Sequence, residues 1–202
     1  MGVGERQTRF DPDGTRVAGK LFRHRLLDVT GPKRRNLELK ARHAHLNAAR
    51  KAVRALAEVR TGGVEMQVDT YFQVSNGRLK LREINDESAT LIFYERPDRA
   101  EARICKYQLV PIMDPTVMKI ALGAALGIRG VVRKRREIYF WHNVRIHLDE
   151  VADLGTLVEL EAVLAPEDDE NVAQERLDHL CEAMGIAESD LLGQSNADLL
   201  GI

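Results

Sequence analysis

The chain has 202 residues, 44% of them hydrophobic and 30% charged, with a formal net charge of −1. That apolar share suffices for a core in one large domain or one domain with an arm, and it excludes a membrane-spanning helix, because no run approaches about 18 apolar residues. The near-neutral total hides an asymmetry: residues 1–148 hold 29 Lys and Arg against 16 Asp and Glu, whereas residues 149–202 hold one Arg against 15 acids.

An anionic partner for the first part fits this asymmetry, and so does mutual neutralisation across one fold. The N-terminus lacks an apolar signal core, so a cytoplasmic location is expected. Cys105 and Cys181 match no metal spacing and do not make a disulfide framework; both are expected to be reduced and structural.

Residues 1–33 read as an N-terminal arm. They are polar and glycine-rich, Asp11-Pro12-Asp13-Gly14 is a turn signal, and Leu21–Val29 is a short strand or helix. Residues 1–32 carry six Lys and Arg against four acids, too mild a bias to argue for nucleic-acid binding. Gly31-Pro32 marks the boundary with a domain over 34–202.

The first strand is expected at about 35–42. His45–Val59 follows at helical spacing, and Thr61-Gly62-Gly63 is expected to end that helix. The stretch from Gln67 to Ile84 reads as a hairpin whose Asn76-Gly77 supplies the positive φ angles of a type I′ turn. Two further strands are expected at about 89–96 and 103–111. Asp114-Pro115 starts a helix that runs to Leu126 and stops at Gly127. Strands at about 129–136, 138–149 and 156–164 bring the total to eight, a number that can close a barrel. An acidic helix over 167–184 ends at Gly185, and Ser189 is read as the cap of a short final piece.

Side chains alternate across a strand. Arg78, Lys80 and Arg82 therefore share one face, opposite Leu79 and Leu81. The same division recurs at Asn36–Lys40, at Lys134–Arg136, at Asn143–Asp149 and at Leu157–Glu161. Cations packed side by side repel unless something anionic lies against them. Solvated edge strands are one reading of this pattern. An anion site bridged by a metal is the other.

Asn36–Lys40 resembles the ExExK signature of the CYTH, or triphosphate tunnel, superfamily. The GRLKLRE segment, the KxR at Lys134–Arg136, the HLDEV at His147–Val151 and the VELEA at Val158–Ala162 match its later strands in order, over roughly residues 35–202. The chain departs from the signature at its first position, where Asn36 stands for an acid. The resemblance implies an α+β fold: an eight-stranded antiparallel β-barrel, the triphosphate tunnel, with helices packed outside. It also implies a lumen that binds triphosphate and a divalent metal.

On that reading Lys40, Arg78, Lys80, Arg82, Lys134 and Arg136 bind phosphates, together with Arg96 and Arg145. Arginine's planar fork suits bidentate phosphate contacts, and lysine serves as a point charge. Glu38, Glu159, Glu161 and Asp149 are the candidate ligands for Mg²⁺ or Mn²⁺, with counter-ion to a neighbouring Arg as each one's alternative role. The metal would bridge phosphate oxygens and orient the nucleophile. Glu38, Lys40, Arg82 and Arg136 are the residues expected to carry catalysis. His147 is read as an acid, a base or a histidine hydrogen-bonded to lumen carboxylates. Three functions stay open: a triphosphate phosphohydrolase, a class IV adenylate cyclase and a non-catalytic polyanion-binding module. The expected partner is a small-molecule triphosphate, with no specific nucleic acid and no membrane, and the protein is expected to be a monomer or homodimer.

Overall fold

The computed structural model describes residues 34–202; the expected arm, its turn and its short element lie outside the described residues. Eight strands form one closed antiparallel barrel: β1 (Arg34–Arg42), β2 (Arg60–Phe72), β3 (Arg78–Ile84), β4 (Ser88–Glu95), β5 (Arg103–Ile112), β6 (Ile128–Trp141), β7 (Val144–Val151) and β8 (Gly155–Leu164). The order around the wall is β1-β5-β4-β3-β2-β6-β7-β8. Closure comes from β1, which pairs with β5 on one side and with β8 on the other. Every strand thus has two hydrogen-bonded neighbours and no edge is left open.

Closure puts the two faces of each strand in different environments. Leu37, Leu39, Val144, Ile146, Leu148, Val158 and Leu160 point outward, where α1 (Leu46–Ala55) and α3 (Glu170–Met184) cover them with Ala49, Val53, Leu177 and Leu180. A second helix, α2 (Pro115–Leu126), lies over Phe72 and Leu81 through Met118 and Leu122. The main apolar core is therefore outside the barrel wall, and the charged faces turn into the lumen.

The helix ends follow from local chemistry. Asp114 accepts a hydrogen bond from the backbone N–H of Val117 at 2.9 Å, Pro115 fills the first turn, and Gly127 stops α2 with φ 82°. Asp169 caps α3, and Gly185 ends it in the left-handed conformation. The short α4 (Asn196–Leu199) is capped by Ser195, which accepts from Asp198 N–H while the Asp198 carboxylate accepts from Ser195 N–H.

Several sequence expectations need correction. Helix α1 ends at Ala55, and Thr61-Gly62-Gly63 lies inside β2, not at a helix stop. Register shifts between Thr61 and Gly63, and a Cβ on Gly62 would come within 2.6 Å of the Phe140 ring. These glycines thus serve a bulge and a close strand contact. The β2–β3 connection spans residues 73–77 with positive φ at Gly77 but not at Asn76, so it is a five-residue loop, not a type I′ turn. Strand β6 runs through Glu137 to Trp141, and the turn falls at His142, which takes φ 50°. Glu137 stays in the strand because the ladder runs on through it, pairing it with Val64 of β2 and Leu148 of β7, while Arg50 and Arg135 hold its carboxylate. Ser189 lies in a 3₁₀ turn, Glu188–Asp190, and caps nothing; the cap of the final helix is Ser195. Among the described residues no helix is long and apolar enough to cross a membrane.

Candidate functional site

Strand alternation puts the charged residues on one face, and closure of the barrel turns that face inward. Lys80 and Arg82 of β3, Lys134 and Arg136 of β6, Arg145 of β7 and Lys40 of β1 all line one cavity of about 270 Å³, joined by Arg96 just beyond β4. Glu38, Glu159 and Glu161 line it with them, as do Asn36, Tyr71, Tyr94 and Tyr107. Arg78 sits apart from this cavity, held by Asp98 at 2.6 Å and Asp198 at 2.9 Å.

The cations are fixed by buried carboxylates. Asp69 of β2, opposite Arg82 in the register, accepts from Arg82 Nε and Nη2 at 2.7 Å and from Lys80 Nζ at 2.8 Å. Burial raises the Asp69 carboxyl, but the Arg82 and Lys80 charges outweigh it and hold it well below the usual range. Asp149 of β7 performs the same service for β6. It is fully buried, and it accepts from Arg136 at 2.7 and 2.6 Å and from Lys134 at 3.2 Å. Burial, then the neighbouring Arg136, lowers the Lys134 ammonium to about 8. These clamps hold the side chains extended into the lumen and leave further N–H donors for a ligand.

The acids meet where the barrel closes. Glu38 stands directly across from Glu161, and Lys40 across from Glu159. Glu159 is committed: Lys40 Nζ lies 2.9 Å from it and Arg136 Nη2 pairs with its other oxygen. Glu38 faces Arg96 Nε at 3.1 Å and Arg103 Nη2 at 3.6 Å. Glu161 is the least engaged, with Arg145 at 3.7 Å and His147 Nδ1 at 3.8 Å. Burial and then the adjacent Glu161 push the Glu38 carboxyl up. Glu161 is also raised by burial, but His147 and Arg136 bring it below the ordinary value. Burial, then Arg136, pushes the His147 imidazole down to about 4.

Glu159 and Glu161 thus share the lumen face of β8 with Glu38 across the seam, and their ligand atoms lie within 4.8 Å of one another and of His147, while Asp149 is spent on Arg136 and Lys134. His147 has no hydrogen-bond partner on Nδ1. Sequence reasoning missed Asp69, Tyr71, Tyr107, Arg103 and Asn196, which accepts from Lys40 Nζ. Strand parity was the available signal for Asp69, which shares a face with Tyr71; the two-residue turn expected at Asn76-Gly77 would have set it against Ile84, and only the observed loop sets it against Arg82.

Arg82→Ala and Arg136→Ala would strand the buried Asp69 and Asp149, so both should cost stability as well as affinity. Arg145 is the cleaner probe, since its side chain is about one-third exposed. Arg145→Ala should weaken binding of a non-hydrolysable triphosphate by about 1.5–3 kcal/mol in titration calorimetry. Its unfolding free energy should change by less than about 1 kcal/mol.

The CYTH domain family matches residues 34–192. No curated protein sequence matches the chain. Among solved structures, a protein of Pyrococcus horikoshii OT3 is similar at TM-score 0.71 and 23% identity, covering 81% of this chain and 98% of that one. A protein of Pyrococcus furiosus is similar at TM-score 0.70 and 20% identity, covering 81% and 99%. A Vibrio parahaemolyticus protein described as a candidate adenylate cyclase is similar at TM-score 0.68 and 21% identity, covering 83% and 98%. At these identities the likeness is one of fold.

Proposed function

Because the chain belongs to the CYTH domain family, we propose that it is a metal-dependent phosphohydrolase acting on a small-molecule triphosphate in its barrel lumen. The observation that carries this reading is the convergence of seven cations and three carboxylates on one cavity. A triphosphate carries about four negative charges, and phosphoryl transfer needs positioning and charge neutralisation more than covalent chemistry. Lys80, Arg82, Lys134 and Arg136 are held by buried carboxylates, so they meet a polyphosphate chain without first reorganising. Lys40, Arg96 and Arg145 add donors from three other strands or their ends.

The donor set fits a divalent cation. Glu38, Glu159 and Glu161 offer hard oxygen atoms at the β1–β8 seam, and Asn36 Oδ1 is buried nearby without a partner. A bound Mg²⁺ or Mn²⁺ would supply charge neutralisation of the phosphate oxygens. Asn36 brings no charge to this set, so metal should saturate only at relatively high concentration. Asn36→Glu should lower the concentration giving half-maximal activity by about tenfold, since affinity follows the count of ligand charges. Metal titration of both proteins at fixed substrate checks this.

A second reading, a class IV adenylate cyclase, is favoured by one feature. Ile84, Ile92 and Leu109 give part of the same cavity an apolar wall suited to an organic group. One incubation separates the readings. Inorganic triphosphate, ATP and thiamine triphosphate are each supplied with Mg²⁺ or Mn²⁺, and phosphate and cyclic AMP are both measured. Phosphate release supports the hydrolase. Cyclic AMP from ATP supports the cyclase. No turnover of any of the three leaves a binding module.

A further inference from the structure

We infer that His147 Nδ1 joins Glu159 and Glu161 as a ligand of the lumen cation, making a nitrogen-containing site that favours Co²⁺- or Zn²⁺-type ions beyond what carboxylates alone would. The inference rests on the reading that this lumen holds a divalent cation.

His147 is only 5% exposed, and its Nδ1 is a buried polar atom with no hydrogen-bond partner. Leaving such a group unsatisfied is unfavourable, so a fold retains it at a cost unless something binds there. The backbone aims it. His147 stands directly across from Glu159 in the β7–β8 register, and Glu161 follows two residues along on the same face. One ligand atom from each of the three lies within 4.8 Å of the others. Nδ1 is 3.8 Å from Glu161 Oε1, too far for a hydrogen bond. Two donors at about 2.1 Å from a common ion sit about 3–3.5 Å apart, so a small side-chain shift completes the site. Imidazole suits Zn²⁺ and its neighbours, whereas carboxylates suit Mg²⁺ and Mn²⁺ equally without it. The chain thus meets the missing acid at Asn36 with a nitrogen from the opposite side of β8.

The test uses the whole protein without triphosphate. Protein carrying ¹⁵N-histidine is titrated with ZnCl₂ and followed by NMR, with His147 assigned through its own backbone. The expected result is a coordination shift of His147 Nδ1 at one equivalent. In calorimetry, His147→Gln should lose at least about tenfold in Co²⁺ affinity while its Mg²⁺ affinity stays within about twofold. An unmoved Nδ1, or an unchanged Co²⁺-to-Mg²⁺ affinity ratio in the variant, overturns the inference. The wild-type spectrum decides alone if the variant fails to fold. Coordination without triphosphate turnover would sink the hydrolase reading and keep this one. Mg²⁺-supported turnover with an unmoved Nδ1 would do the reverse.

Discussion

Glu161→Gln is expected to lower triphosphate turnover by about 10²–10³-fold while leaving the fold almost untouched. The loss follows from removing one negative oxygen from the seam, where a cation would contribute several kcal/mol of transition-state charge stabilisation. The stability expectation follows from the contacts. The nearest cation to Glu161 is Arg145 at 3.7 Å, and its neighbours include Glu38 and Glu159, so neutralisation relieves repulsion as it removes attraction. Glu159→Gln should also abolish most turnover, but with a different stability signature. Glu159 binds Lys40 and Arg136, both buried, and those cations would lose a partner. Steady-state kinetics with thermal melts on both variants checks the pair. Wild-type rates in Glu161→Gln, or turnover that persists in excess EDTA, would make these acids counter-ions and remove the metal from the mechanism.

Asp149→Asn is expected to give the largest loss of stability, about 3–5 kcal/mol at neutral pH, because it leaves two buried cations with one anion fewer. For a domain of this size that corresponds to a fall in melting temperature of roughly 6–20 °C. The pH dependence has a definite sign. Burial raises the Asp149 carboxyl, but Arg136 and Lys134 outweigh it and bring it to about 2, below its unfolded value of 3.8. Its contribution is therefore fully present above 3.8 and is lost as pH falls through about 2. The gap in melting temperature between wild type and Asp149→Asn should be widest near neutrality and should close as pH drops from about 4 to 2. Melts across that range test it. A gap that stays constant down to pH 2 would mean that the carboxylate charge is not what Asp149 contributes.

The carboxylates of the lumen differ in how they are paired, and only part of that difference was legible in the chain. The alternation at Arg78–Arg82, Lys134–Arg136 and Glu159–Glu161 reported which residues share a face, because strand periodicity is a local property of the backbone. It could not separate Arg78 from its neighbours. Arg78 has the same parity as Lys80 and Arg82, yet Asp98 and Asp198 hold it away from the cavity, and neither acid is near it in sequence. Nor could it separate Asp149 from Glu161. Both are acids on inward faces, and the difference lies in which strand stands opposite. Asp149 faces Arg136 across β6, whereas Glu161 faces Glu38 across β1.

The turns show the same limit. Asp114, Gly127 and Gly185 were readable because capping and left-handed stops need only a few consecutive residues. Thr61-Gly62-Gly63 was misread because Gly62 answers to Phe140 and Ile138, residues of a strand far along the chain, and Gly63 takes φ 97° at the register shift against that strand.

By itself the sequence determined the number of strands, the residues on each face, the ends of α2, the stop of α3, and the kinds of charge available. Those are set by short-range sterics and hydrogen bonding. The tertiary structure decided which face became the interior. An apolar strand face can be buried inside a barrel or beneath helices, and the pattern is identical in both cases. Here α1 and α3 cover the apolar faces from outside, and pairing of β1 with both β5 and β8 closes the charged faces inward. Closure also set Glu38 opposite Glu161 and Lys40 opposite Glu159. Long-range register, which no local pattern encodes, turned a list of charges into a site.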